Sequence, residues 1–252
     1  MSPANPGRRA VVAVVLAGGA GKRFGADRPK QLLPLGGRTV LEVAVAAFRE
    51  SPEVDEVLVV LAPHLVGEWR QQFAASGMTD VFVIEGGVLR TDSTRAAILA
   101  LGDRDCDVLF HDAARPLVDG RIIADCARAL ETAEAVSAAV PCTDTVGEVD
   151  AAGDLKAIPD RDGLRNIQTP QGFRLSTIRD AYRLMEADRS GAPAATDDCG
   201  VLLRYLPRVR ITLVQGSARN LKVTRPSDLG LAEQLLADRG LGGSPTPETP
   251  TS

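Results

Sequence analysis

The sequence predicts an α/β fold in which a mainly parallel, twisted sheet carries helices on both faces. Short apolar runs alternate along the chain with segments whose apolar residues recur every three to four positions, as expected of strands and helices. The runs are apolar throughout rather than at every second residue, which is typical of parallel strands buried on both faces. Alternating β and α units of this kind give a parallel sheet with a helix layer on each side.

The elements follow from these patterns in chain order. Strands are predicted at residues 11–17, 57–61, 81–84, 108–110 and 209–214, and helices at residues 39–50, 65–75, 91–101, 122–133, 175–187 and 226–236. Asp92 and Ser93 suit the first turn of the third helix, and Pro226 suits the start of the last. In such sheets ligands bind beyond the carboxyl ends of the strands.

The alternation breaks after residue 135. Short strand candidates follow at residues 136–140, 145–149 and 155–158, and residues 150–154, Asp-Ala-Ala-Gly-Asp, form a turn signal between the last two. This pattern predicts a β-hairpin arm over about residues 136–165. We expect one folded domain at residues 10–239, a flexible N-terminus at residues 1–9 and a disordered tail at residues 240–252.

Bulk composition limits the classes of function. The chain has 252 residues, 44% of them hydrophobic, and a net charge of −4, which argues against general nucleic-acid binding. No apolar run approaches the roughly 20 residues that span a bilayer, and residues 1–9 lack the apolar core of a signal peptide. We therefore expect a cytoplasmic protein without a membrane partner.

Metal-ligand spacing is absent from the cysteines and histidines. No two cysteines form a CxxC pair, and His64 and His111 are far apart, so a zinc site is not predicted. We expect reduced, partly buried thiols, with a reactive role for Cys199 as the less favoured alternative. The cysteines are Cys106, Cys126, Cys142 and Cys199.

A glycine loop follows the first strand. Residues 16–24 read Leu-Ala-Gly-Gly-Ala-Gly-Lys-Arg-Phe, and Pro-Lys-Gln follows at residues 29–31; such a loop with nearby cations suits a polyphosphate. A Walker-type P-loop is not favoured, because Leu16 stands at the position of its first glycine and Arg23 at that of its Ser or Thr. An NAD-type dinucleotide site is not favoured either, because Phe24 stands at the position of its third glycine. An ordinary strand-to-helix turn is the alternative interpretation of the glycines alone.

Four further motifs narrow the prediction. They are HDAARP at residues 111–116, TPQ at residues 169–171, TDD at residues 196–198 and NLKVTRPSDL at residues 220–229. With the glycine loop, and in this order, they resemble the 2-C-methyl-D-erythritol 4-phosphate cytidylyltransferase family of non-mevalonate isoprenoid biosynthesis, over roughly residues 10–237. The resemblance implies a Rossmann-like domain of the nucleotidyltransferase type with a dimerisation arm. It also implies transfer of a cytidylyl group from CTP to a polyol phosphate, with release of pyrophosphate.

The resemblance assigns roles to individual residues. Arg23 and Lys30 would stabilise the transition state, and the alternative for each is a solvated surface cation. Lys222 and Arg161 would position the substrate phosphate. Cytosine and ribose would be held, largely through backbone groups, by Ala17, Gly18, Gly19, Gly87, Ser93 and Ala113. The polyol or its phosphate would be hydrogen-bonded by Asp112, Thr145 and Thr196.

The resemblance also implies partners. Arg161 and Thr145 fall on or near the arm, which in the family crosses to a second subunit, so each would complete the neighbouring site of a homodimer. A local hairpin on its own domain is the alternative. Mg²⁺ would be bound mainly through the CTP phosphates, with Asp112 as the alternative protein ligand.

Some residues depart from the family pattern. Cys199-Gly200 stands where a small Ala-Ser-like pair is more usual, and Val88 stands where a polar side chain often reaches the ribose. His111 is predicted to be structural, since a phosphate nucleophile already ionised at pH 7 needs no base.

Three alternative functions stay open. A ribitol 5-phosphate cytidylyltransferase shares most motifs, although residues 160–164 favour the methylerythritol enzyme. A hexose-1-phosphate nucleotidyltransferase would leave HDAARP unexplained. A non-catalytic nucleotide-binding regulator would not need the loop cations together with Lys222.

Overall fold

The structure of the protein is a computed structural model that describes residues 8–18, 29–191 and 195–241. The strands are β1 (Ala10–Leu16), β2 (Pro34–Leu35), β3 (Arg38–Thr39), β4 (Glu56–Leu61), β5 (Val81–Glu85), β6 (Cys106–Asp112), β7 (Ala135–Pro141), β8 (Glu148–Val149), β9 (Leu155–Ala157), β10 (Arg165–Arg174) and β11 (Ile211–Gln215). The α-helices are α1 (Val40–Arg49), α2 (Val66–Ala75), α3 (Arg90–Leu101), α4 (Gly120–Ala129), α5 (Leu175–Ala187), α6 (Asp198–Tyr205) and α7 (Pro226–Leu241).

A seven-stranded sheet forms the centre of the fold. Its strand order is β11-β7-β10-β6-β1-β4-β5. Neighbouring strands are parallel except where β10 lies antiparallel between β6 and β7. The predicted α/β fold with a mainly parallel sheet is confirmed.

Two apolar layers cover the sheet, as the continuous apolar strands require. On β1, Val11, Ala13 and Val15 belong to one buried cluster, which includes residues of α1, α2 and α4. Val12, Val14 and Leu16 belong to the other, with residues of α3, α5 and α6. Successive side chains of a strand point to opposite faces, so each face of β1 is buried beneath its own helix layer.

Hydrogen-bonded caps fix the starts of several helices. At α1, the Glu42 backbone N–H donates to the Thr39 hydroxyl at 3.1 Å, while the Thr39 N–H donates to the Glu42 carboxylate at 2.8 Å. At α4, the Ile122 N–H donates to the Asp119 carboxylate at 2.8 Å. Such caps satisfy N–H groups that lack a partner inside the helix. The prediction extended α4 to residue 133, but the helix ends at Ala129 and the next residues form turns.

The arm is shorter than predicted. The prediction began it at residue 136, but β7 is a buried strand of the central sheet because its small apolar residues pack on both faces. The arm instead occupies residues 142–164 and contains the two-stranded β8–β9 sheet. Its residues are mostly exposed, and it leaves the sheet at the edge where β7 ends and β10 begins.

The ends of the chain were predicted to be flexible. Within the described part, Arg8 forms an ion pair with Asp55 and Arg9 with Asp107, each at 3.0 Å, and α7 continues to Leu241. Residues 1–7 and 242–252 lie outside the described residues. In the part of the chain that the structure describes, no helix is both long and apolar enough to cross a bilayer.

Candidate active site

Neighbouring strands end together at the carboxyl edge of the sheet. Leu16 of β1 pairs in register with Asp112 of β6 and with Val60 of β4, and Leu61 of β4 pairs with Glu85 of β5. The segments that follow β1, β5 and β6 therefore leave the sheet side by side. This edge, beyond the carboxyl ends of the strands, is where the sequence predicted that ligands bind.

Glycines after β1 and β5 make room for the start of α3. A Cβ on Gly18 would lie 2.9 Å from the Ser93 hydroxyl oxygen, and one on Gly86 would lie 2.6 Å from it. A Cβ on Gly87 would lie only 2.2 Å from the Asp92 Cβ, closer than van der Waals contact permits. Only glycine fits here without displacing α3. The structure thus brings together Gly18, Gly87 and Ser93, three of the residues predicted to bind CTP.

Ala17 and Ala113 lie at the same edge of the sheet, but their backbone N–H groups already have partners. The Ala17 N–H donates to the Val60 carbonyl at 2.8 Å, and the Ala113 N–H donates to the Leu16 carbonyl at 3.0 Å. The Gln31 side-chain amide donates to the Ala17 carbonyl at 2.6 Å. Contacts from these two backbones to a ligand would therefore come from carbonyl oxygens, which can accept a second hydrogen bond.

Three predicted residues fall wholly or partly beyond the described structure. Gly19 and Arg23 lie outside the described residues, and so does the side chain of Lys30. The Lys30 backbone begins a 3-10 turn, Lys30–Leu32, which leads from the glycine loop towards β2.

Asp112 is the charged centre of the site. Lys222 donates from Nζ to Asp112 Oδ2 at 2.6 Å, and Arg90 donates from Nε to Asp112 Oδ1 at 3.0 Å. Burial alone would raise the pKa of the Asp112 carboxyl, but the positive charges of Arg90 and Lys222 hold this pKa well below its usual range. Asp112 is therefore ionised at neutral pH, and each oxygen has a cationic partner.

Backbone contacts fix the segment that carries Lys222. The Val223 N–H donates to the Ala114 carbonyl at 2.8 Å, and Arg115 donates from Nη1 to the Asn220 carbonyl at 2.7 Å. The Asn220 side chain, which is fully buried, donates to the Thr169 carbonyl at 2.8 Å. HDAARP, TPQ and NLKVTRPSDL therefore form one connected unit, although more than 50 residues separate the contacting positions in each of these three contacts.

His111 holds the end of β6 in place. The Arg115 carbonyl can only accept a hydrogen bond, so His111 Nε2 carries the ring proton and donates to it at 2.9 Å. Nδ1 of the neutral ring therefore accepts from the Thr169 hydroxyl at 3.0 Å, and this hydroxyl in turn accepts from the Asp112 N–H at 3.2 Å. Burial lowers the pKa of His111 to about 4. The ring is therefore neutral at pH 7 with both nitrogens hydrogen-bonded, in agreement with the predicted structural role.

Thr196 lies two residues before α6, and hydrogen bonds of Asp197 hold the start of this helix in place. Asp197 caps α6 by accepting from the Gly200 N–H at 2.7 Å, and its other oxygen accepts from the Gln171 side chain at 2.7 Å. Thr196 itself is exposed at this junction. Burial raises the pKa of the Cys199 thiol far above its ordinary value, so Cys199 is a packing residue rather than a reactive thiolate.

Arg161 and Thr145 lie apart from this cluster. Both are exposed on the arm, where Arg161 donates from Nη1 to the Thr143 carbonyl at 3.2 Å. Among the described residues, no hydrogen bond or ion pair of either side chain reaches Asp112, Thr196 or Lys222. Within one chain the structure therefore brings together the CTP residues and Asp112 with Lys222, but not the two arm residues.

Comparison with known proteins decides the family. The family model described as 2-C-methyl-D-erythritol 4-phosphate cytidylyltransferase matches residues 11–238. This chain belongs to that family. The matched range contains the glycine loop, Asp112 and Lys222, the residues whose motifs carried the resemblance. The chain is therefore an enzyme, a cytidylyltransferase of the nucleotidyltransferase class.

Individual relatives agree with the family assignment. A 2-C-methyl-D-erythritol 4-phosphate cytidylyltransferase of Thermobifida fusca is 50% identical over 91% of this chain and 94% of its own. The fold is similar to that of 4-diphosphocytidyl-2C-methyl-D-erythritol synthase from Anaerococcus prevotii, with a TM-score of 0.80, 25% identity, and 91% and 96% of the two chains covered. The bifunctional ribulose 5-phosphate reductase/CDP-ribitol pyrophosphorylase of Haemophilus influenzae is 36% identical over 90% of this chain but 48% of its own.

Sequence reasoning missed two charged residues of this cytidylyltransferase site. Arg90 and Asp198 form an ion pair of 2.8 Å behind Asp112. One signal could have identified Arg90, because a cation in the first turn of a helix opposes the helix dipole and needs a compensating partner. Asp198 belongs to the TDD motif but was given no role, since acidic residues are ordinary at a helix start.

Proposed function

We propose that this enzyme transfers the cytidylyl group of CTP to 2-C-methyl-D-erythritol 4-phosphate, giving 4-diphosphocytidyl-2-C-methyl-D-erythritol and pyrophosphate in non-mevalonate isoprenoid biosynthesis. The observation that carries the proposal is the meeting, at one sheet edge, of a glycine-lined pocket with the Asp112–Lys222 pair. The pocket suits a nucleotide and the pair suits a polyol phosphate. The relatives that cover nearly the whole chain support this choice of substrate.

The chemistry requires positioning and charge neutralisation rather than a protein nucleophile. The substrate phosphate attacks the α-phosphorus of CTP, a bond forms between them, and pyrophosphate leaves with the bonding electrons. Phosphoryl-type transfer of this sort is catalysed mainly by alignment and electrostatic stabilisation. In this proposal Arg23 and Lys30 neutralise the charge that develops around the α-phosphorus, and Lys222 with Arg161 holds the attacking phosphate. The neutral His111 takes no part in proton transfer.

The backbone of the pocket favours cytosine on hydrogen-bonding grounds. Since the N–H groups of Ala17 and Ala113 have protein partners, these backbones offer a base only carbonyl oxygens. A carbonyl accepts from the amino group of cytosine, whereas the corresponding oxygen of uracil has nothing to donate. The close packing of Gly18 and Gly87 on Ser93 also limits the room for a purine. Both features support recognition of CTP.

We propose that Mg²⁺ enters with the CTP phosphates. The Asp112 carboxylate is a poor candidate for a direct ligand, because Arg90 and Lys222 each pair with one of its oxygens. Among the described residues, no three His, Cys, Asp or Glu side chains form a group that could hold a metal ion. When bound, the ion would neutralise phosphate charge and favour the departure of pyrophosphate. An Asp112→Asn variant should need the same Mg²⁺ concentration for half-maximal activity, and a large increase would instead assign Asp112 as a ligand.

The arm supports a proposed homodimer in which Arg161 and Thr145 complete the neighbouring site. Four large apolar side chains of the arm are 40–64% exposed, namely Val146, Val149, Leu155 and Ile158. An exposed apolar cluster on a small hairpin is typical of a surface that another chain covers. A second subunit would bury these side chains and bring Arg161 to a site that lacks it. We also propose a cytoplasmic location, where CTP and phosphorylated polyols are available.

Ribitol 5-phosphate is the second candidate substrate, because one relative with 36% identity is described as a CDP-ribitol pyrophosphorylase. The decisive experiment measures pyrophosphate release from CTP with methylerythritol phosphate and with ribitol phosphate side by side. We expect a higher kcat/KM with methylerythritol phosphate. A preference for ribitol phosphate would overturn the substrate assignment, and binding of CTP without turnover of either would favour a nucleotide-binding regulator.

A further inference from the structure

Arg90 links two carboxylates behind the substrate half of the site. It is the first residue of α3, its Nε donates to Asp112 Oδ1 at 3.0 Å, and its Nη1 lies 2.8 Å from Asp198 Oδ2. Both terminal nitrogens of Arg90 are buried from solvent. Because both are closed off from solvent, Arg90 can act on the site through Asp112, to which its Nε donates.

Asp198 is a fixed anchor for this arginine. Its side chain is 0% exposed, and its Oδ1 accepts a hydrogen bond from the buried Tyr182 hydroxyl at 2.7 Å. Its backbone N–H donates to the Gln171 side chain at 3.1 Å. The carboxylate is thus held from α5 and the backbone from β10. Arg90 is thus held by an ion pair with Asp198 through Nη1 and by a hydrogen bond to Asp112 through Nε, so its side chain has little freedom to rotate and restricts Asp112 in turn.

Charge balance explains why an arginine is needed. Asp112 and Asp198 are both buried carboxylates, and Arg90 is the one described residue that forms an ion pair with each. A lysine ammonium is a single point of charge, whereas the guanidinium offers separate N–H groups to two acceptors. With Oδ1 of Asp112 occupied by Arg90, Oδ2 is directed to Lys222. The arginine therefore determines which carboxylate oxygen meets Lys222.

We propose that Arg90 and Asp198 are positioning residues for the polyol-phosphate half of the site, because together they set the orientation of Asp112 and, through it, of Lys222. This inference rests on the proposed function, since the phosphate that Lys222 binds belongs to the proposed substrate. Neither residue contacts the substrate. Their effect is on how well the substrate phosphate is held and aligned, and the CTP pocket on the other side of Ser93 keeps its own contacts.

The test compares Arg90→Lys, Arg90→Met and Asp198→Asn with the parent enzyme, using methylerythritol phosphate and CTP. We expect the KM for the polyol phosphate to rise about 10- to 100-fold, because small misplacements of a binding group have effects of this size. The KM for CTP should stay within about twofold. Arg90→Lys should keep the charge but recover little, since one ammonium cannot replace the fork. Arg95→Met is the matched control, because Arg95 lies on α3 in an exposed ion pair with Glu186.

A double-mutant cycle tests whether Arg90 acts through Asp112. In an Asp112→Asn background the Arg90→Met change should add little, whereas additive effects would overturn the proposal. If Arg90→Met fails to fold, Arg90→Met combined with Asp198→Asn removes the unpaired buried charge and allows the same measurement. Equal increases in both KM values, or an unchanged KM for the polyol phosphate, would also reject it. A parent enzyme without turnover would refute the proposed function instead, so the two failures are distinguishable.

Discussion

Asp112 concentrates the electrostatics of the site in one side chain. Its two oxygens pair with Arg90 and Lys222, while its backbone N–H is fastened to Thr169. An ionised carboxylate held in this way is not free to rotate towards a new partner. A bound phosphate would therefore accept hydrogen bonds from the N–H groups of Lys222 that Asp112 leaves free. Lys222 is the more accessible member of the pair, because its side chain is 39% exposed and that of Asp112 is 13% exposed. Phosphate binding at this point therefore depends on Lys222 rather than on movement of Asp112.

Replacement of Lys222 tests this view. Lys222→Ala removes one charged hydrogen bond to the substrate phosphate, so its KM should rise about 10- to 100-fold, while the KM for CTP changes little. Steady-state kinetics with each substrate varied in turn provides the measurement. Arg225→Ala, which removes an exposed cation from the same segment, should leave both KM values near those of the parent. A loss confined to kcat would place Lys222 in transition-state stabilisation instead.

The neutral His111 makes stability depend on pH in a defined window. Its pKa is lowered by burial from 6.5 to about 4, so between these values the unfolded chain binds more protons than the folded one. The free energy of unfolding should therefore fall as the pH decreases from 6.5 to 4, by about 3 kcal/mol in total. Urea titrations across this range measure the slope. His111→Gln should flatten it and the exposed His64→Gln should not; equal slopes in both variants would contradict the assignment.

At the scale of the elements, the start of α3 serves both halves of the site. One side of its first turn packs on Gly18 and Gly87 through Ser93 and Asp92, and Arg90 reaches Asp112. The helix is held at this position because the glycines permit close approach. Any side chain at Gly87 would push the first turn outward and disturb the CTP pocket before the substrate half.

Gly87→Ala should show this effect. Its Cβ would lie 2.2 Å from the Asp92 Cβ, and relief of such overpacking costs about 1–3 kcal/mol, so we expect lower thermal stability and a raised KM for CTP. Gly67→Ala in α2 is the matched control, since its added Cβ meets nothing within 4 Å. The control should be neutral or stabilised by about 0.5–1 kcal/mol. Equal behaviour of the two variants would show that the close approach is unimportant.

The sequence predicted most elements because their apolar patterns are strong, as in β1 and α5. It did not predict β10, where Gln168, Thr169, Pro170 and Gln171 interrupt any apolar run. All four are nevertheless buried, and the side chains of the three polar ones hydrogen-bond to Asn220, His111 and Asp197. Because these partners lie far away in the sequence, the local pattern of apolar and polar residues does not predict that this strand is buried. Helix α6 was missed because it has only eight residues.

The sequence also predicted only part of the candidate site, because some of its contacts join residues that lie far apart along the chain. Motif resemblance identified Asp112 and Lys222, and the structure brings them to 2.6 Å. The Arg90–Asp198 pair was missed because its meaning depends on two helices that meet only in the folded molecule. The assignments of Arg23, Lys30, Arg161 and Thr145 stay predictions.

At the scale of the whole molecule, the exposed arm is the feature that a single chain leaves unexplained. Leu155 is 63% exposed on the arm, and Leu99 is 65% exposed on α3. If the arm is covered by a second subunit, Leu155→Glu should shift sedimentation towards a monomer and lower turnover at low enzyme concentration. Leu99→Glu should leave both unchanged. A parent protein that sediments as a monomer at micromolar concentration would exclude the proposed assembly.

Subunit mixing tests whether the sites are shared. At polyol phosphate concentrations well below the parental KM, Arg161→Ala and Lys222→Ala should each show little turnover if both residues serve every site. In a mixed dimer one site would carry both changes and the other neither, so equal mixing should restore about a quarter of the parental turnover. Mixing before and after a period that allows subunit exchange provides the comparison. Absence of recovery despite proven exchange would place Arg161 in the site of its own chain.

The pairing of Pro141 with Arg165 has a consequence for how members of this family could diversify. The arm departs and returns at adjacent positions of one strand pair, so its length and composition can change without disturbing the seven-stranded sheet. Insertions at such points cost little loop entropy. The preference for one acceptor could therefore change during evolution through changes in the arm alone, while the residues that bind the nucleotide stay the same. Grafting arms between homologues would exploit this modularity in the laboratory.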